Sequence, residues 1–123
     1  MKQVEIKISG YEEAMKYLRD KLHDTENNEK KALSKAALFM QGEVKSSIAG
    51  HRPEPTSVDT GRFLNSVEFE VGADDAAVFT KIPYSKFLEY GTTRMTPRRH
   101  FNNSKDRNKN KIKEIFEGEI KSI

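Results

Sequence analysis

At 123 residues the chain has the length of one domain, and with 35% hydrophobic against 33% charged residues its core must be modest. A formal net charge of +3, from 22 Lys and Arg against 19 Asp and Glu, is too mild for a protein that coats nucleic acid in bulk. The absence of cysteine excludes disulfides, thiolate catalysis and cysteine-ligated zinc, and no apolar run approaches the ~20 residues a membrane helix needs.

In chain order, Val4, Ile6 and Ile8 alternate with Glu5 and Lys7, the period of a half-buried strand. The opening MKQVEIKI lacks the apolar core of a signal peptide, so synthesis in a cytoplasm and no membrane partner are expected. Tyr11, Met15, Leu18 and Leu22 then share one stripe of a first helix, followed by a polar link. A long helix is predicted over 28–49, because Leu33, Ala37, Met40, Val44 and Ile48 step by three or four. Ala32, Ala36 and Phe39 widen its apolar face, which predicts packing on two sides. Gly42 interrupts it, as a mark of close packing or a slight bend.

Pro53 and Pro55 forbid a helix in AGHRPEPTSVDTG, and the lack of apolar anchors predicts a mobile loop over 50–58. Asp59 or Thr60 can cap a short helical turn over 61–66. Val67, Phe69 and Val71 alternate with Glu68 and Glu70; Gly72 to Asp75 turns, and 76–82 returns as the second arm of a hairpin. Tyr84, Phe87, Leu88 and Gly91 fit a two-turn helix closed by glycine, with the aromatic side chains as a buried anchor. A last helix is expected from about 102 to 122, with Ile112, Ile115, Phe116 and Ile120 on its apolar face and its first half exposed. These elements predict an α+β domain over 1–123: a small antiparallel sheet, made of the hairpin plus the N-terminal strand, packed by the long helix, with a C-terminal helix.

The charge is regional. Residues 94–123 hold nine Lys and Arg against four Asp and Glu, so a basic C-terminal arm is expected to project from an acidic body. Arg94, Arg98, Arg99, Lys105, Arg107, Lys109 and Lys111 are its candidate contacts, either with an acidic protein neighbour or with DNA along a path. A solvated helix face is the plainer alternative. Chemistry has less support. His23, His51 and His100 form no HxH or HxxxH pair and read as surface residues, so no metal site is predicted. His51, Glu54 and Asp59 could form an acid–base trio, but a proline-rich loop positions such groups poorly. No Walker, Rossmann or GxSxG pattern occurs, and neither catalysis nor a cofactor is expected.

Three motifs, in order, resemble the tail-completion or head–tail joining family of long-tailed bacteriophages and prophages. Asp59, Thr60, Gly61, Leu64 and Ser66 match its first element; Pro83, Tyr84, Glu89, Gly91 and Thr92 match its second, with Ser85 in place of alanine. Arg99 and Phe101 match its third, where His100 replaces a proline. The likeness covers roughly residues 30–123. It implies a structural virion protein without catalysis, forming a ring, usually six-fold, at the neck. Its partners would be other copies of itself, the tail tube or tail terminator, and the head-side connector or stopper, with transient contact to passing genomic DNA. Glu89 would pair with an arginine such as Arg62 or Arg94. A minor tail or tail-terminator protein, a nucleic-acid-binding module using the basic C-terminal helix, and a small hydrolase or toxin are the alternatives.

Overall fold

The computed structural model describes residues 2–8, 25–57, 61–72 and 75–121. The first helix expected over 11–22, and the capping candidates Asp59 and Thr60, lie outside the described residues. Strand β1 (Val4–Ile8) buries Val4, Ile6 and Ile8 as its alternation requires. After it come α1 (Thr25–Ile48), α2 (Arg62–Asn65), β2 (Glu68–Val71) and β3 (Ala76–Thr80). The chain continues through α3 (Ser85–Tyr90), α4 (His100–Arg107) and α5 (Lys109–Lys121).

The fold is α+β, with a three-stranded antiparallel sheet in the order β1-β3-β2. Val4 lies opposite Thr80 and Ile8 opposite Ala76 on one side of β3, while Glu68 lies opposite Phe79 on the other. A third strand is what a lone hairpin needs for stability. Because β3 is central, all five of its residues are buried, and only β2 keeps the wet character read from its glutamates.

Helix α1 packs against the sheet and also against α4 and α5. Its wide face explains this: Ala32, Leu33, Ala36, Ala37, Met40, Val44 and Ile48 are all buried. The alanines let neighbouring elements approach on two sides of one helix. Gly42 is not a close-packing device, because a Cβ there would meet nothing within 4 Å. Phe63, Phe101, Ile112 and Phe116 complete the core from α2, α4 and α5.

Two expectations change. The last helix is two helices broken at Asn108, whose φ of −110° and ψ of 15° leave the helical region. Asn108 Nδ2 donates to the Ser104 carbonyl at 2.8 Å, the local side-chain competition that makes asparagine a poor helix interior. The basic segment is also no projecting arm: Phe101, Ile112 and Phe116 fold it back onto α1. The outward half of α4 and the start of α5 are exposed as expected, but they lie on the body.

Candidate functional site

The motif residues meet where α3 ends and α4 begins. Gly91 closes α3 with φ 76° and ψ 178°, and its N–H donates to the Phe87 carbonyl at 2.8 Å. An added Cβ would stand 2.7 Å from the Met95 oxygen and 2.8 Å from the Pro97 nitrogen. Only glycine fits this backbone and this space. Thr92 and Met95 then exchange backbone hydrogen bonds across a tight turn, and the Arg98 N–H returns to the Leu88 carbonyl at 2.8 Å. Arg99, at φ 53°, turns the chain into α4.

Glu89 is 1% exposed and holds this junction together. Its Oε1 accepts from the Phe101 N–H at 2.9 Å, and its Oε2 accepts from the Asn102 N–H and from Asn102 Nδ2, each at 2.8 Å. A carboxylate there satisfies helix N–H groups that have no partner within α4, and it sits at the favourable end of the helix dipole. The arginine pairing expected for Glu89 is therefore corrected: its partners are the backbone and side-chain amides of α4. Ser85, also fully buried, bonds to the Ile82 carbonyl, so a hydroxyl at the family's alanine position is satisfied.

A second buried polar chain joins the loop 51–57 to α1 and α4. Ser47 Oγ lies 2.6 Å from Glu54 Oε1 and 2.7 Å from His100 Nδ1; His100 Nε2 lies 2.7 Å from Ser57 Oγ. Arg98 Nη1 donates to Ser57 Oγ and to the Thr56 carbonyl, each at 2.8 Å, and Arg107 grips Glu54 with two nitrogens at 3.0 and 3.1 Å. The proton positions follow from the ends inward. Burial raises the Glu54 pKa, but Arg107 and Ser47 outweigh it and hold the carboxyl below its usual range, so it only accepts. Ser47 must then donate to Glu54 and accept from His100 Nδ1–H. His100 is neutral, its Nε2 accepts the Ser57 hydroxyl, and Ser57 accepts from Arg98.

Burial, with Arg98 adding to it and Glu54 opposing it, lowers the His100 pKa from 6.5 to about 4. Ser57 and His100 share the orientation of a nucleophile and its base. A histidine this acidic is mismatched to proton abstraction near neutral pH, and Arg98 occupies the serine oxygen. The arrangement is a brace: among the described residues no buried side-chain nitrogen or oxygen lacks a partner.

These contacts revise several expectations. His100 is a buried neutral residue, not a surface histidine or part of a cationic run. His51 is exposed while Glu54 is committed to Arg107, so the two do not form an acid–base pair; Asp59, their third candidate, is outside the described residues. The loop 50–58, expected to be mobile for want of apolar anchors, has polar ones instead over its described residues 50–57, including Arg52 on Glu43 at 2.8 Å. Of the basic candidates, Arg98 and Arg107 belong to the brace and Arg99 bonds Asn103 at 3.0 Å. Arg94, Lys105, Lys109 and Lys111 face solvent, the last two beside Asp106 at 3.9 Å and Glu114 at 3.7 Å.

The aromatic anchor is also reversed. Tyr84, Phe87 and Tyr90 are 39, 47 and 59% exposed, Leu88 is half-buried, and α3 buries Ser85 and Glu89 instead. Tyr84 touches the core only edge-on, its ring 6.2 Å from that of Phe63. Of the first motif, Gly61 begins α2 at φ 80°, Leu64 packs on the core, and Ser66 Oγ joins the Phe63 carbonyl to Thr80 Oγ1. Ser47, Ser57, His100 and Asn102 were not anticipated. Ser47 alone carried a signal, since it lies three residues after Val44 and beside Ile48 on the buried stripe. Compared with protein-family models, curated proteins and solved structures, the chain matches none.

Proposed function

We propose that the chain is a structural virion protein that forms a ring at the head–tail interface of a long-tailed phage or prophage. It would complete the tail, join it to the head connector and leave a passage for DNA. The observation that carries this reading is the use to which the motif residues are put. Glu89 of the second motif binds the backbone of Phe101 in the third, and Gly91 sets the turn between them. Ser66 of the first ties α2 to the sheet. Residues spent on architecture in this way suit a joining protein, which needs a fixed shape and no turnover.

A tail role away from the joint and a nucleic-acid module are the competing readings. The exposed Lys105, Lys109 and Lys111 supply a cationic surface for phosphate contact, which by itself carries no sequence reading. The deciding experiment removes the coding sequence from the phage or prophage that carries it and images the products by electron microscopy. Unjoined, DNA-filled heads and separate tails, restored to whole particles by the supplied protein, are the expected result. Intact infectious particles without it would overturn the proposal.

A further inference from the structure

Of the five large apolar side chains exposed among the described residues, three belong to one element: Tyr84, the N-cap of α3, with Phe87 and Tyr90 on the helix itself. They stand at i, i+3 and i+6, and residues three apart are neighbours on a helix, about 5–6 Å between Cβ atoms. The row is rigidly mounted. Ser85 and Glu89 fasten the buried side of α3 to the body, and the Tyr84 ring is met edge-on by Phe63, with Arg62 5.9 Å from its centroid.

The charge around this row has one sign. Between Asp75 and Asp106 the chain carries six Lys and Arg and a single acidic residue, Glu89, which is buried. Arg98 and Arg99 are committed to Ser57 and Asn103. Lys86 and Arg94 are exposed, and neither side chain is held by a hydrogen bond or an ion pair among the described residues. Lys86 Nζ lies 5.5 Å from the Phe87 ring centroid, and Arg94 stands in the tight turn that follows Gly91.

Rings alone would suit any apolar partner, and cations alone any anion. Rings interleaved with cations suit a ligand that alternates flat apolar groups with negative charge. We propose that this face binds single-stranded nucleic acid, with bases stacked on Tyr84, Phe87 and Tyr90 and phosphates met by Lys86 and Arg94. A duplex keeps its bases stacked inside and offers the same face its phosphates only. Mounting the rings on a fixed helix reduces the ordering that binding would otherwise cost. Stacking of this kind is tolerant of sequence, because every base has a flat face.

The test follows fluorescence anisotropy of a labelled oligothymidylate of about 12 nucleotides, beside a duplex of equal length, on the folded full chain. Wild type should bind the single strand with a Kd of about 10 μM or tighter in about 50 mM salt, and the duplex about tenfold more weakly. Phe87→Ser with Tyr90→Ser should weaken single-strand binding about tenfold or more and leave its salt dependence unchanged; Tyr90→Ser alone, at the most exposed of the three rings, should show a smaller loss. Lys86→Gln with Arg94→Gln should instead lower the slope of log affinity against log salt by about 1. Serine at Lys105, Lys109 and Lys111 together should change affinity by no more than about twofold at this salt.

No binding by wild type, or equal affinity for strand and duplex, overturns the proposal. So does unchanged binding when the rings are removed from a chain that circular dichroism shows to be folded. A larger loss in the Lys105/Lys109/Lys111 variant would move the contact to the C-terminal helices, and ring-dependent binding to anionic phospholipid vesicles without binding to the oligonucleotide would reassign the face to a membrane; both also overturn it. The virion role is judged separately by unjoined heads and tails, so either idea can fail while the other stands.

Discussion

The side of α1 that meets the sheet and the end where the loop 51–57, α3 and α4 converge are built on different physics. Against the sheet, Val4, Ile6, Leu33, Met40 and Val78 exclude water without directional partners. At the converging end Ser47, Glu54, Glu89 and His100 are just as buried, and each is held by hydrogen bonds of stated direction. An apolar core tolerates swaps that keep volume and pattern. A buried polar joint does not, since losing one partner leaves another group desolvated and alone. The second region therefore specifies how the C-terminal helices sit, while the first supplies most of the driving force.

The largest effect should come from the apolar side of the joint. Phe101→Ala, at a fully buried side chain, is expected to cost about 3–5 kcal/mol in urea unfolding. Tyr84→Ala should cost about 1 kcal/mol or less, because that ring is 39% exposed. Equal losses would erase the distinction between the core and the outer face of α3.

Acid should separate the regions next. The folded His100 pKa of about 4 lies below the ordinary 6.5, so the unfolded chain binds this proton first as pH falls. Stability from this group is complete above about pH 6.5 and drains away toward pH 4, by about 3 kcal/mol. Glu54 and Glu43, both lowered, add their own losses only as pH falls below the usual carboxylate range. Chemical unfolding from pH 7 to 5 should show the slope in wild type and a flatter line in His100→Gln. An unchanged slope would mean that His100 is not buried neutral.

Glu89→Ala strips the acceptor from three donors and should cost about 2–3 kcal/mol, with Glu89→Gln less damaging because it keeps one carbonyl oxygen. The smallest effect has the opposite sign. Gly42→Ala, in an exposed helix interior with open space for a methyl group, should stabilise by up to about 1 kcal/mol in the same assay.

The two regions also differ in how far the sequence reveals them. The strand at Val4–Ile8, the long helix and the hairpin are legible because burial imposes a period on residue type, and that period survives in one dimension. Gly91 is legible too, since a helix that stops at a positive φ selects glycine. The joint is not, because a hydrogen bond between Ser57 and His100 spans 43 residues and leaves no period. Polar residues in PRRHF and HRPEPTS look like solvated loop, and only three-dimensional convergence turns them inward. The aromatic residues of α3 mislead for the complementary reason: their hydrophobicity suggests burial, whereas the helix spends its buried side on Ser85 and Glu89. An exposed aromatic face on a folded chain is where a partner belongs.

The central structural claim is that Glu89 fastens the basic C-terminal helices to the body. Native-state hydrogen exchange at the Phe101 and Asn102 amides tests it most directly, because both N–H groups donate to the Glu89 carboxylate. Wild type should protect these amides strongly, to a level approaching that of the α1 core. Glu89→Ala should lose that protection at these two amides while α1 keeps most of its own. Fast exchange at both amides in the wild type, as in a free arm, would contradict the account.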